Sequence, residues 1–176
     1  AMPRPFSRPP GLFDRMQPIA ETALEPTAAT RGTVTGTPAS LMAGARAIVA
    51  SPDTAEKVRL AYAVSRAWFQ RDLALGTART GEAMPDRPGR PAKPELLAPR
   101  DMPKRNLKGK AGRLALIHSL AHIELNAVDL TWDLIGRFVS VRLPRSYYDD
   151  WVRVGLEEAK HFSMLQERLA KLGEDL

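Results

Sequence analysis

The sequence predicts an all-α protein built as an antiparallel helical bundle. Three observations carry that expectation. Residues 112–138 and 146–172 repeat their apolar side chains at helical spacing, each over about seven turns. Only Val139–Arg145 separates the two stretches, with Pro144 as the breaker, and so short a connection folds one helix back on the other. No alternating strand pattern and no internal repeat occurs along the chain.

The elements follow in order. Residues 1–37 are rich in Pro, Thr, Gly and Ala without a sustained period, and read as an extended or disordered arm ahead of a helical domain, residues 38–176. Ala1 before Met2 reads as a scar of tag removal, and no apolar signal core follows the first basic residues. Residues 39–49, a run of small and apolar side chains, suffice for about three helical turns. Ser51-Pro52 is a helix start, a side-chain cap followed by proline at the first position. The helix it opens is expected to reach Leu75, with Val58, Ala61, Tyr62, Trp68 and Phe69 on one face and Ser65 as its polar interruption.

Residues 84–111 form a Pro/Arg-rich strap. Six of the fifteen prolines fall in residues 84–106, a density that forbids helix and favours an extended, polyproline-like path. Nine basic and three acidic residues lie between Asp86 and Arg113, an excess equal to the formal +6 of the whole chain. The strap reads first as a solvated connector that wraps the domain. Its cations would also suit an acidic partner or RNA, although no aromatic residue is interleaved for base stacking. The helix hairpin, residues 112–172, completes the domain and ends at Gly173.

Composition removes several classes of function. The 176 residues are 44% hydrophobic and include no cysteine. That excludes a wholly disordered chain, disulfides, thiolate metal sites and cysteine nucleophiles. No run of eighteen apolar residues exists, so no membrane span is expected and a cytoplasmic location is the default.

Three polar residues stand where the hairpin should be apolar. At 100° per residue, Trp151, Val154, Phe162, Leu165, Leu169 and Leu172 share one face of the second long helix. Glu158 sits at the centre of that stripe and His161 to one side of it. On the first long helix Glu124 lies among Ile117, Leu120, Ala121, Val128, Thr131 and Ile135. Asn126, Asp129, Asp133, His118 and His122 gather on a different side, which reads as solvated. Positions 124 and 158 are equidistant from the turn, so they stand at one level, with His161 a turn further along.

A lone buried carboxylate is costly, and two together repel. A divalent cation between them relieves both problems, and carboxylate with imidazole suits iron or manganese. One Glu plus a Glu-x-x-His from the neighbouring helix is half of a two-metal carboxylate site. Metal-free alternatives stand beside this: a Glu158–His161 ion pair, or Glu124 paired with a cation from the arm. His118 and His122, spaced i, i+4, form a rival zinc pair.

The segment from His118 through His122, Glu124 and Asp129, then Tyr148-Asp-Asp-Trp151 and Glu157-Glu158-Ala-Lys-His161-Phe-Ser-Met-Leu, resembles the bacterial ferritin-like family defined as domain of unknown function 455. The Ala55-Glu-Lys-Val-Arg stretch and the strap resemble that family's N-terminal part. The resemblance implies a ferritin-like bundle with Glu124, Glu158 and His161 as metal ligands. It also implies a second helix pair bearing another Glu and another Glu-x-x-His, which has no counterpart in these 176 residues. A further helix pair or a second copy is therefore the expected partner.

Function follows from that centre: an iron or iron–manganese two-metal protein, with oxygen activation by an oxidoreductase as its natural chemistry. The family resembles, distantly, ferritin-like hydroxylases of modified tRNA, a substrate the basic strap would suit. Metal storage without a substrate and a metal-free interaction module are the competing expectations.

Overall fold

In the computed structural model, residues 38–77, 83–91, 109–139 and 141–173 are described. They fall in one unit, Gly36–Leu176. The expected arm, residues 1–37, and the strap from 92 to 108 lie outside them. Four helices appear in chain order: α1 (Leu41–Ala50), α2 (Thr54–Phe69), α3 (Gly109–Arg137) and α4 (Arg145–Ala170). No strand forms among the described residues, which make an all-α bundle.

The α3–α4 hairpin is the frame. At 29 and 26 residues these helices are the longest, and the turn between them brings them antiparallel. Gly155 of α4 makes room for the Trp132 indole of α3: a Cβ there would stand 2.9 Å from Trp132 Nε1, so a larger residue would displace that ring. The aromatic end is fixed by the Tyr148 hydroxyl, which donates to the Phe138 carbonyl at 3.0 Å. Trp68 of α2 meets Tyr148 edge-on, and the Arg145 guanidinium stacks 3.8 Å from the Trp68 ring.

α1 is too short to persist alone; its ends are held by its neighbours. At its start, Ser40 Oγ accepts from Ala43 N at 3.2 Å, and the carbonyls of Ala74 and Leu75 accept from Leu41 N and Met42 N. At its end, Lys57 Nζ of α2 donates to the carbonyls of Ile48 (2.9 Å) and Val49 (3.0 Å), groups that have no partner within the helix. With both ends satisfied, Leu41, Ala45, Ile48 and Val49 bury against α2 and α3.

The same ammonium lies 2.6 Å from Asp129 of α3. Lys57 is fully buried and Asp129 nearly so. Arg90 of the strap reaches the other Asp129 oxygen at 2.7 Å and donates to Asn126. Gly89 N donates to the Val49 carbonyl at 2.8 Å, at a crossing so close that a Cβ would run into the Ala50 carbonyl.

Five expectations are corrected here. Asp129 is interior, because α1 and α2 cover the side of α3 that a single-helix projection assigns to water. Arg90 is therefore a structural cation, and the described part of the strap, which lies against the domain as expected, is held there by a charge pair and a backbone hydrogen bond rather than solvated. α2 ends at Phe69, short of Leu75: Arg71 takes a left-handed φ of 69°, and the chain turns so that Leu73 buries and Ala74 pairs with α1. Its cap is Asp53, whose carboxylate accepts from Ala55 N and Glu56 N, and α3 begins at Gly109, three residues before the expected start.

The buried pair yields a stability prediction. Lys57→Met leaves Asp129 with half its compensation and strands two carbonyls, so unfolding in urea should lose about 3–5 kcal/mol. Arg59→Ala breaks only the exposed pair with Glu56 and should lose less than about 1 kcal/mol.

Candidate metal centre

Glu124 lies near the middle of α3, and Glu158 and His161 one turn apart near the middle of α4. The hairpin register places them together, as the equal distances from the turn predict. His161 Nδ1 lies 3.5 Å from Glu124 Oε2 and 3.5 Å from Glu158 Oε2. One ligand atom from each residue falls within 4.8 Å of the other two. Among the described residues this is the one group of three acidic or imidazole side chains close enough to share a cation.

The three side chains are less enclosed than their place on the apolar stripe suggests. Glu124 and Glu158 keep 23% and 24% of their side-chain surface, and His161 keeps 53%. α1 packs on α3 and α2 on α4, covering one side of the hairpin; the triad opens on the other. Ala121, Leu125, Phe162 and Leu169 form an apolar floor beside it.

Two carboxylates at this separation disturb one another. The Glu124 carboxyl is raised above its ordinary range, first by its hydrogen bond with Glu158, then by burial and by the Glu158 charge; His161 acts against these. Like charge drawn together with one imidazole beside it is the electrostatic signature of a place for a cation. The donor set, two carboxylates and a ring nitrogen, fits iron or manganese.

Among the described residues His118 and His122 belong to no group of three acidic or imidazole side chains close enough to share a cation. Asp129, the acid nearest that side of α3, is engaged by Lys57 and Arg90. The polar cluster that sequence reasoning missed is this one: Lys57 and Asp129 in the interior, with Arg90 over them. Lys57 occupies the same α2 face as Leu60, Ala61, Val64 and Trp68, and that position was the available signal.

Fold and site together define an all-helical bundle with a carboxylate–histidine cluster on its central hairpin. The chain belongs to the family described as Protein of unknown function (DUF455), which it matches over residues 50–175. An uncharacterized protein of Haemophilus influenzae is 41% identical to it over 88 residues, which are 47% of this chain and 31% of that relative. The chain thus spans about a third of that relative's length. No solved structure matches. The family match and the four-helix packing agree with a ferritin-like all-α fold.

The raised Glu124 pKa has a definite sign for stability. The folded chain retains a proton that the unfolded chain has already released, so charging this carboxyl near neutral pH works against folding. This penalty grows as pH rises through the raised value and is relieved as pH falls through it. Glu124→Gln should therefore raise the melting temperature of chelator-treated protein at neutral pH. The gain should shrink as the solution is acidified, as read by thermal unfolding monitored by circular dichroism.

Proposed function

We propose that this protein binds divalent iron or manganese through Glu124, Glu158 and His161, and that this triad is half of a two-metal carboxylate centre of an oxidoreductase. The observation that carries the reading is the convergence of three ligand atoms from two helices within 4.8 Å. The open side of the triad also leaves room for the donors and the substrate that one hairpin does not supply.

A reduced iron or iron–manganese pair bound there supplies the capacity to activate dioxygen. The chain's own residues account for the rest. Glu124 and Glu158 approach from different helices, so together they grip an ion in a geometry fixed by the hairpin. His161 completes the set with a neutral nitrogen, which binds without adding further charge. A cation held between Glu124 and Glu158 would relieve the repulsion that burdens the metal-free chain. The apolar floor of Leu125 and Phe162 keeps water from one side of the carboxylates. Among the described residues no helix is long and apolar enough to cross a membrane, and we place this chemistry in the cytoplasm.

The test is metal analysis of protein purified without chelator and of protein loaded anaerobically with ferrous ion. The wild type should hold about one ion per chain, and Glu158→Ala should hold none after desalting. Absence of iron and manganese from the loaded wild type would refute the reading.

A further inference from the structure

Four aromatic rings form a chain across the turn end of the bundle. Between ring centres, Trp151 and Tyr147 of α4 lie 6.3 Å apart, Tyr147 and Tyr148 5.2 Å, and Tyr148 and Trp68 of α2 6.4 Å. Those spacings belong to ordinary aromatic packing. The two ends set the chain apart. Trp151 precedes Glu158 by seven residues on the same stripe, about 10 Å along α4. At the far end the Trp68 indole N–H donates to a carboxylate, Asp149 Oδ1, at 2.9 Å. Arg71 and Arg145 flank that carboxylate at 3.6 and 3.7 Å, at the edge of solvent. By contrast, the Trp132 N–H has no hydrogen-bond partner among the described residues, and the Tyr148 hydroxyl donates to a backbone carbonyl, which cannot take its proton.

A centre that activates dioxygen holds an oxidising equivalent whenever no substrate meets it. We propose that Trp151, Tyr147, Tyr148 and Trp68 carry that equivalent away from the triad, and that it comes to rest on Trp68. The oxidised metal centre gains one electron, drawn through the chain from the Trp68 indole. The Trp68 N–H bond breaks, its proton passes to Asp149, and a neutral indolyl radical remains. A thiolate in solution reverses the step: it supplies one electron, becoming a thiyl radical, as Asp149 returns the proton. The Arg145 guanidinium, 3.8 Å from the Trp68 ring, opposes positive charge on that ring, so the electron leaves together with the proton. The source of the oxidant rests on the metal reading above; the chain and its terminus do not.

Trp68 and Trp132 are 1% and 0% exposed, whereas Trp151 is half-buried. Azide radical, a small one-electron oxidant of accessible indoles, therefore enters at Trp151 and tests the chain in chelator-treated protein. Wild-type samples frozen afterwards should show a long-lived neutral indolyl radical by electron paramagnetic resonance. Trp68→Phe, which keeps a ring in place, and Asp149→Asn, which removes the base, should each lose that signal, with circular dichroism verifying the fold. An indolyl radical that survives either substitution, or a wild-type radical resting on tyrosine, overturns the terminus. Ferrous-loaded wild type given hydrogen peroxide should show the same signal. Bound iron without that signal separates the chain from the metal centre and overturns the proposal. Protein that binds no iron overturns the metal reading, and with it the oxidant, while the azide experiment still decides the chain.

Discussion

The Lys57 ammonium is the constraint on which the rest of the domain depends. It is fully buried, and its hydrogen bonds go to other elements: carbonyls at the end of α1, and Asp129 of α3, approached from α2. Burial lowers the Lys57 pKa and raises that of Asp129, as desolvation outweighs the attraction on each side. Such a pair adds little net stability over an apolar pair of equal volume. It does fix geometry, because any slip of α1 or α3 along α2 would leave a buried charge or carbonyl unpaired. Arg90 extends this logic to the strap, which cannot leave without exposing Asp129 to the interior with a single counter-charge.

This clamp works on one side of the hairpin and the triad on the other. Holding α1 and α2 against α3 and α4 sets the packing around Trp132, and Trp132 in turn lies against Gly155 of α4. The two polar clusters differ in their electrostatics. Asp129 has cations on both oxygens and is internally compensated, whereas Glu124 and Glu158 share only His161. One cluster is balanced as it stands, and the other carries an excess of negative charge that a bound cation would offset.

Much of this was legible because a hairpin of two long helices obeys simple geometry. The 3.6-residue period identified the faces, the short turn fixed the direction, and equal distances from it placed Glu124 level with Glu158. What escaped depended on a third body. Asp129 looked solvated on the wheel of α3, which carries no knowledge of α1 and α2; pairing it with Lys57 spans 72 positions and follows no local rule. The end of α2 escaped for a similar reason, since the positive φ of Arg71 serves the contact of Ala74 and Leu75 with α1. The openness of the triad could not be read from the stripe either, because an apolar face indicates contact without saying which molecule provides it.

The two sides of α3 make that last point concrete. Both are apolar at helical spacing; one is covered by α1, and the other exposes four large aliphatic side chains beside a cluster short of positive charge. An uncovered stripe of this kind is unfavourable in water, and isolated monomers seldom carry one that is long and regular. The unmet needs of the surface and of the triad coincide in position, so one event can meet both. A wall that covers the stripe excludes water from the carboxylates, strengthens their hold on an ion and shapes whatever space remains for a substrate. On the proposed reading the hairpin sets where ions would sit, and what closes over them would decide their chemistry.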